Sequence, residues 1–473
     1  MAKHGVGERL VSQGGILLYH SRKSWSRFYL RILAVALAFC SVCFALGTKV
    51  NAAVPQQPSI YGEAAVLLDA STGQILYGKN IHQQMEPASL TKIMTCLIAI
   101  EEGDPDAVLS VSEQAVKDME DSSTMDVVAG ESLSLRELLY GLMLPSANDA
   151  ANVIAEYFSG GNEGFAQKMN QRAQELELWD THFVNPHGLP AQEHYSTAYD
   201  LARLTQTALA QEAFLTYAGA SEYEIAATER HGSFSLEHTH LMMQPDSRYY
   251  DSRVIAGKTG WTPGAGTCLM TVARQGDLTL IAIVLKSDSD DIWRVAYQDT
   301  GKMLDFGFSN FRRGTVTIPE ITEYPVSFFD EEGRLCRGSV SGSAESLSLL
   351  FPNGCDEEDV YLEMPQQQQL VQWEQRGLQV SVRYQDENGE SWPWPLASAP
   401  VSLTLQQVSD PSHQEPVQSA MSQQTTEDAQ QQNGLGLLFI LLLVCAAGLT
   451  CLWCLARPGS QRRKRHQKEE TIK

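Results

Sequence analysis

The sequence predicts an α+β fold for a first region of roughly 250 residues, the size of one large domain. Apolar residues recur at helical spacing from Leu133 to Ala155. Patterns typical of paired β-strands occur near Ala64 to Tyr77 and near Thr267 to Leu285. Helical and strand periodicities within one region indicate a mixed domain rather than an all-α or all-β one.

Three short strings along this region carry chemistry, in the order Ser89-Leu90-Thr91-Lys92, Ser146-Ala147-Asn148 and Lys258-Thr259-Gly260. Together they supply a nucleophile, a base, a proton relay and a cationic strand edge. A serine acyl-transfer enzyme needs this set if it has no catalytic histidine, because a serine hydroxyl must lose its proton to a base as it attacks.

Ser89 and Lys92 lie three residues apart, so on a helix both project from the same face, within reach of each other. Lys92 can accept the serine proton only if its pKa is lowered. Burial and a second cation both favour the neutral form of a lysine, and Lys258 is the candidate for that cation.

Each string is weak evidence alone. Ser89 fits a helix N-cap with Lys92 as a solvated neighbour, the second string fits a capped turn, and the third fits a strand that ends in a glycine turn. Their joint order, with spacings of 57 and 112 residues, is far more specific. Class A β-lactamases and penicillin-binding proteins carry the same trio, with S-D-N as its middle member.

From about residue 60 to 308 the chain resembles the serine-type D-alanyl-D-alanine carboxypeptidases, the low-molecular-mass penicillin-binding proteins. Besides the three motifs, it has longer strings similar to those of that family: Ala65-Val66-Leu67-Leu68-Asp69, Asn185-Pro186-His187-Gly188-Leu189-Pro190 and His194-Tyr195-Ser196-Thr197-Ala198. The resemblance implies a catalytic domain over 53–312 with the penicillin-binding-protein/β-lactamase-like transpeptidase fold, in which an antiparallel sheet packs against a helical cluster.

The resemblance also implies a reaction, the removal of the terminal D-alanine from peptidoglycan stem pentapeptides through an acyl-enzyme. Ser89 would attack the carbonyl of the penultimate D-alanine, Lys92 would accept its proton, and Ser146 would relay a proton to the leaving D-alanine. Asn148 would hydrogen-bond the substrate amide. The expected partners are stem peptides ending in D-Ala-D-Ala, and β-lactams such as penicillin as acylating inhibitors.

The third motif is implied to bind substrate. Lys258 and Thr259 would hold the terminal carboxylate through a charge-assisted contact. Gly260 would let the substrate approach the strand edge closely, because it has no Cβ. The resemblance places the oxyanion hole at the main-chain N–H groups of Ser89 and Trp261.

One stretch departs from the family pattern. Leu236-Glu237-His238-Thr239-His240-Leu241 stands where the family often shows Asn-x-Asn. His238 and His240 would share one face of a strand and could ligate zinc, but no cysteine or carboxylate pattern nearby completes a site. We therefore predict no metal site and no cofactor, and interpret His187 and His194 as structural.

Beyond the catalytic part the composition changes twice. Residues 313–405 alternate between apolar and polar in short stretches, which predicts a small β-rich domain. The family resemblance implies that this domain is a spacer that raises the active site off the membrane. Residues 406–433 hold too few large apolar side chains to form a core and predict a flexible stalk. Cys336 and Cys355 could bridge in an oxidising compartment.

Both ends of the chain predict a surface location. Residues 1–52 have a basic start, an apolar run and small residues, which is typical of a secretory signal cleaved after Ala52 or Ala53. Residues 434–456 contain no charge and are long enough to cross a bilayer as one helix. The basic tail, 457–473, is then cytoplasmic by the positive-inside rule, and the protein is a single-pass protein of the cell membrane with an extracellular catalytic domain.

The part between the two ends is strongly acidic. Residues 53–456 contain 21 Lys and Arg against 54 Asp and Glu, which leaves a net charge of −33. Such a surface repels polyanions, so the sequence argues against nucleic acid as a partner.

Two alternatives remain open at this point. A class A-like β-lactamase shares the motifs but deacylates through a glutamate in the pattern E-x-x-x-N, and no such pattern lies between Asn148 and Lys258. The other alternative is a catalytically inactive cell-wall-binding module that retains a relic of the site.

Overall fold

The computed structural model describes residues 54–119, 122–287, 294–355, 359–372, 377–385 and 389–409. The predicted signal peptide, membrane helix and basic tail, and all but the first four residues of the predicted stalk, lie outside these ranges. Within them no helix is both long and apolar enough to cross a membrane.

A five-stranded antiparallel sheet forms the centre of the catalytic part, in the order β2-β1-β9-β8-β7. Its strands are β1 (Ala64–Asp69), β2 (Ile75–Lys79), β7 (Val254–Thr262), β8 (Gly266–Gln275) and β9 (Leu278–Leu285). The strand patterns predicted near residues 64–77 and 267–285 therefore mark real hairpins. Strand β7 lies at one edge of the sheet, so its outer side is open to a ligand.

The sheet is buried on both faces, which explains why its strands are almost continuously apolar. Val66 and Leu68 of β1 face a helical cluster, while Ala65 and Leu67 face the opposite layer. The cluster comprises α1 (Lys92–Glu102), α2 (Glu113–Val116), α3 (Leu135–Met143), α4 (Asn148–Ser159), α5 (Asn162–Glu175), α6 (Ala198–Leu209) and α7 (Glu212–Ala218). Helix α8 (Arg294–Asn310) packs on the other face.

The helical run predicted from residue 133 to 155 is interrupted. Pro145 follows α3 and has no N–H to continue its hydrogen bonds. Ser146 then adopts a left-handed conformation, with φ +69°, and α4 begins two residues later. The break places a serine and an asparagine at the junction of two buried helices.

Two short antiparallel pairs complete the catalytic part. They join β3 (Val108–Ser110) to β4 (Ser132–Ser134), and β5 (Glu222–Ile225) to β6 (Phe234–Glu237). The residues after β6 form a single 3-10 turn, Leu241–Met243, that leads toward β7.

The region after α8 is rich in strands, paired as β10 with β13 and as a sheet in the order β11-β12-β16-β15-β14. The bounds are β10 (Phe311–Ile318), β11 (Ile321–Phe329), β12 (Leu335–Gly342), β13 (Glu345–Pro352), β14 (Val360–Glu363), α9 (Gln367–Val371), β15 (Leu378–Tyr384) and β16 (Ala397–Ser409). Cys336 and Cys355 are buried in different apolar clusters and are not joined to each other by a disulfide.

Candidate active site

Ser89, the predicted nucleophile, is held in a tight turn between two close backbone approaches. Ser89 lies in a 3-10 turn, Ala88–Thr91, directly before α1. Gly188 has φ +87°, and a Cβ there would lie 1.9 Å from the carbonyl oxygen of Ala88. On the other side, a Cβ at Gly260 would lie 3.0 Å from the amide nitrogen of Ser89. A side chain cannot fit at Gly188 and would be tightly packed at Gly260, so the serine is held close to the edge of β7.

Lys92 is fully buried directly below the serine. Its Nζ lies 3.0 Å from Ser89 Oγ, 2.6 Å from Asn148 Oδ1 and 2.8 Å from the main-chain oxygen of His187. Burial lowers the pKa of Lys92 well below its ordinary value, and the nearby charge of Lys258 lowers it further, while Asp149 opposes this shift. The predicted pairing of Ser89 and Lys92 is confirmed as a contact.

The three partners determine what a neutral Lys92 can do. The oxygens of Asn148 and His187 can only accept hydrogen bonds, so they take the two N–H groups of a neutral amine. The remaining lone pair of Nζ is then directed at Ser89, whose hydroxyl donates to it. This is the arrangement that a general base needs before the serine attacks.

Ser146 lies at the cleft, and its side chain is almost fully buried. Its Oγ is buried and makes no hydrogen bond within the described residues. It lines the same cleft as Ser89, and its left-handed backbone is held by the Ala147 and Asn148 N–H groups, which donate to the carbonyls of Gly141 and Ser123 at 2.9 and 2.7 Å. A buried hydroxyl without a partner is costly, which suggests that a ligand completes its bonding.

The third motif occupies the open edge of the sheet. Lys258 is fully buried, and its Nζ donates to the carbonyl of Thr259 at 2.8 Å; burial lowers its pKa to about 7. Thr259 Oγ1 lies 2.7 Å from Thr239 Oγ1. Thr259 and Gly260 line the cleft, and the Trp261 side chain stands at its mouth, 47% exposed.

These residues surround a cleft of about 610 Å³, which is large enough for a short peptide. Its lining is Ser89, Ser123, Pro145, Ser146, Glu237, His238, Thr239, Leu241, Gln244, Thr259, Gly260, Trp261 and Tyr297. The structure therefore brings all three motifs together at the junction of the sheet and the helical cluster.

The family profile described as D-alanyl-D-alanine carboxypeptidase matches residues 51–289, half of the chain. The chain belongs to this family. A D-alanyl-D-alanine carboxypeptidase of Bacillus subtilis is 31% identical over 346 residues, which cover 72% of this chain and 84% of the relative. One of Escherichia coli is 32% identical over 337 residues, covering 68% and 78%.

A solved structure gives the same result at the level of the fold. The DD-transpeptidase of Streptomyces K15 matches with a TM-score of 0.50 at 28% identity, over 54% of this chain and 99% of that chain. The penicillin-binding-protein-like α+β fold is thus confirmed, as is the assignment to the serine DD-carboxypeptidases. The comparisons do not favour a β-lactamase or an inactive wall-binding module.

Of the two histidines of the longer family strings, His194 is hydrogen-bonded to the turn that holds Ser89, and the ring of His187 accepts from the Leu189 N–H of its own loop. His194 Nδ1 accepts a hydrogen bond from the Val184 N–H at 3.0 Å, so Nε2 carries the proton and donates to Thr91 Oγ1 at 2.8 Å. Burial lowers the pKa of His194 to about 4 and that of His187 to about 3. Both rings are therefore neutral at pH 7, and neither contacts Ser89.

His238 and His240 follow the end of β6 and do not lie on a strand together. His238 Nδ1 accepts from the His240 N–H, and its Nε2 donates to the carbonyl of Ala218. His240 Nε2 lies 2.8 Å from Thr271 Oγ1. The described residues contain no group of three metal-ligating side chains, and these two rings serve to hold the segment 238–240 against the sheet.

Sequence reasoning missed several neighbours of the motifs. The main-chain carbonyl of His187 accepts a hydrogen bond from Lys92, and Asp149 partly opposes the lowering of the Lys92 pKa. Thr239 contacts Thr259, and Ser123 lines the cleft. The string that contains His187 carries only a family resemblance in the sequence. A backbone carbonyl has no residue-type signal, so its role becomes visible only in three dimensions.

Proposed function

We propose that this family member removes the terminal D-alanine from stem pentapeptides of peptidoglycan through an acyl-enzyme on Ser89. The observation that carries the proposal is the environment of Lys92, where two obligate acceptors direct the lone pair of the buried amine at the serine hydroxyl. A solvated lysine would be protonated at neutral pH and could not act as a base.

In the acylation step, Ser89 Oγ attacks the carbonyl carbon of the penultimate D-alanine, and its proton passes to Lys92 Nζ. The C–N bond to the terminal D-alanine then breaks, and the leaving amine receives a proton through the Ser146 hydroxyl. The position of Ser146 in the cleft, with its Oγ lacking any partner in the described residues, supports this relay. Water next attacks the ester and releases the shortened peptide.

The substrate would be held at three places. Thr259 Oγ1 binds the terminal carboxylate, and the buried charge of the adjacent Lys258 attracts it. Because Asn148 Oδ1 already accepts from Lys92, its Nδ2 is left to donate to a substrate carbonyl. The main-chain N–H groups of Ser89 and Trp261 stabilise the oxyanion, and the contact distance at Gly260 leaves the edge of β7 close to Ser89.

The site is tested by product release. We expect the purified full-length chain to liberate D-alanine from a stem pentapeptide, and Ser89→Ala to lose that activity completely. Ser132→Ala, an exposed serine on β4, is the matched control and should keep it. A folded wild-type protein that releases no D-alanine would contradict the proposal.

We also propose that the enzyme works at the outer face of the cell membrane. The signal-like residues 1–52, the uncharged segment 434–456 and the basic tail 457–473 support this topology. The β-rich region 313–405, acting as a spacer domain, and the stalk would set the height of the active site above the bilayer. Truncation after residue 433 should move the protein from the membrane fraction to the soluble fraction; retention in the membrane fraction would argue against anchoring by the C-terminal segment.

A further inference from the structure

Part of the cleft is not used by the steps proposed above. Glu237, Leu241, Gln244 and Tyr297 line it, yet none belongs to the three motifs. They come from the end of β6, the segment after it and helix α8. We call these four residues the leaving-group arm.

Strand β7 shows where this arm lies relative to the nucleophile. Gly260 is packed against the backbone of Ser89, Thr259 contacts Thr239, and Gly257 is packed against the ring of His240. Three residues of a strand span about 10 Å, so the contacts move away from Ser89 along β7. Thr239 and His240 therefore lie alongside Thr259 and Gly257, away from Ser89 along β7, next to the proposed carboxylate site at Thr259, and Glu237 lines the cleft two residues before Thr239.

The walls of the arm are apolar or neutral except at one point. Leu241 is half-buried, and its N–H donates to the Tyr297 hydroxyl at 3.1 Å; burial raises the pKa of that phenol to about 12. Gln244 Nε2 donates to the carbonyl of His238, whose ring has its pKa lowered to about 4 by burial. The side chains of Leu241, Tyr297 and Gln244, and the ring of His238, are therefore uncharged at neutral pH.

Glu237 is the exception. It is the single carboxylate among the residues that line the cleft, it is exposed, and within the described part of the chain it forms no salt bridge. Lys92 and Lys258 are buried and do not line the cleft. The arm thus presents an uncharged wall, whose polar groups on Gln244 and Tyr297 are hydrogen-bonded to the backbone, with one negative charge, which is complementary to an aliphatic side chain that ends in an ammonium group.

On the basis of the proposed function, we propose that the leaving-group arm binds the side chain of the terminal D-amino acid and accepts a long cationic one as well as the methyl group of D-alanine. The bonds that form and break are the same as those in the release of D-alanine. The ester to Ser89 forms, the amide C–N bond breaks, the leaving α-amine takes up a proton, and water hydrolyses the ester. The enzyme would then also release a D-diamino acid such as D-lysine.

The test uses three peptides that share an acylated L-lysyl-D-alanyl part and end in D-alanine, D-lysine or D-norleucine. We expect the full-length enzyme to hydrolyse all three. Its kcat/KM for the D-lysine peptide should exceed that for the D-norleucine peptide by roughly two- to fivefold, the worth of an exposed ion pair. Glu237→Gln should remove this preference, and Glu237→Lys should invert it.

Glu224→Gln is the matched control, because it removes an exposed carboxylate of the same hairpin that does not line the cleft. The ratio of kcat/KM between the D-lysine and D-norleucine peptides should stay at the wild-type value in this variant. Labelling of each variant with fluorescent penicillin at Ser89 shows that the variant is folded.

Each other outcome is decisive. If both long-chain peptides are hydrolysed at less than about a hundredth of the rate for D-alanine, the arm does not accept side chains, and the proposal is overturned. If the Glu237 variants leave the ratio unchanged, the cation preference is overturned. If wild-type protein releases D-alanine from no peptide, the proposed function itself fails.

Discussion

Lys92 and Ser89 form the smallest unit of the mechanism. An ammonium group that is removed from water loses its hydration, so the neutral amine is favoured. The charge of Lys258 acts in the same direction, while Asp149 acts against it. The proposed base is therefore neutral because it is buried beside a second cation. A substitution that lets water reach Lys92 should raise its pKa and lower kcat/KM without changing Ser89.

The two lysines predict a pH profile. Lys92 must be neutral, so kcat/KM should fall at acid pH as this amine becomes protonated. Burial sets the pKa of Lys258 at about 7, and its charge is lost as the pH rises through that value. We therefore expect kcat/KM for a carboxylate-terminated substrate to fall on the alkaline side as well.

Lys258→Arg tests the alkaline limb, because a guanidinium stays protonated throughout the accessible range. In this variant kcat/KM should no longer decrease between pH 7 and about pH 9. An unchanged alkaline limb would show that a group other than Lys258 causes it.

Substitution of Ser146 should lower activity and leave stability nearly unchanged. Its Oγ has no hydrogen-bond partner within the described residues, so Ser146→Ala removes no bond and should leave the melting temperature within a few degrees. Loss of a proton relay should lower kcat by about 10²- to 10⁴-fold. Thermal melting and D-alanine release measure the two effects, and a large loss of stability with normal kcat would assign Ser146 a structural role instead.

At the scale of elements, the nucleophile turn depends on a loop nearly a hundred residues away in the sequence. Gly188 lies against Ala88, Thr95 Oγ1 donates to the carbonyl of Pro186, and His194 binds Thr91. The turn and the loop thus form one packed unit around Ser89. A disturbance of the loop should reach the serine directly.

Gly188→Ala tests this unit. The alanine would have to adopt a left-handed backbone conformation, and its Cβ would lie 1.9 Å from the carbonyl oxygen of Ala88. We therefore expect the free energy of unfolding to fall by about 3 kcal/mol or more. Gly160→Ala is the matched control, since Gly160 also has a positive φ, +73°, but nothing lies within 4 Å of its Cβ position.

The control should cost only about 1 kcal/mol and leave penicillin acylation at the wild-type rate, whereas Gly188→Ala should slow it. Denaturant unfolding and acylation kinetics give the comparison. Equal losses of stability in both variants would mean that the contact with Ala88 is unimportant.

The elements also show what a sequence can predict. The paired strand patterns predicted near residues 64–77 and 267–285 correspond to the hairpins observed at 64–79 and 266–285. The order of the three motifs predicts that Ser89, Ser146 and Lys258 share one site. The single helical run over 133–155 was wrong in detail because periodicity does not register the break at Pro145. The leaving-group arm has no signal in the sequence, because its residues come from β6, the segment after it and α8 and meet only in the folded protein.

At the scale of the whole molecule, the strands after α8 are tied to the catalytic sheet. Trp392 is 1% exposed and packs with Phe306 of α8 and Phe311 of β10. The Gln74 side chain exchanges two hydrogen bonds with the backbone of Leu350, each 2.7 Å. Contacts of this kind couple the folding of the two regions.

Trp392→Ala should therefore lower the stability of the catalytic part as well, by about 3–5 kcal/mol for loss of a buried indole. One shared thermal transition, shifted down, is the expected result, with the acylation rate at 25 °C unchanged. If instead two thermal transitions appear and the melting temperature of the catalytic part is unchanged, the two regions fold independently.

In the proposed mechanism Ser89 is a nucleophile made reactive by a neutral Lys92. The most direct measurement is mass spectrometry of the protein after brief incubation with penicillin, followed by mapping of the modified peptide. We expect one long-lived penicilloyl group on Ser89 in the wild type and no adduct in Lys92→Met. An adduct on another residue, undiminished acylation of Lys92→Met, or rapid multiple turnover of penicillin would contradict it.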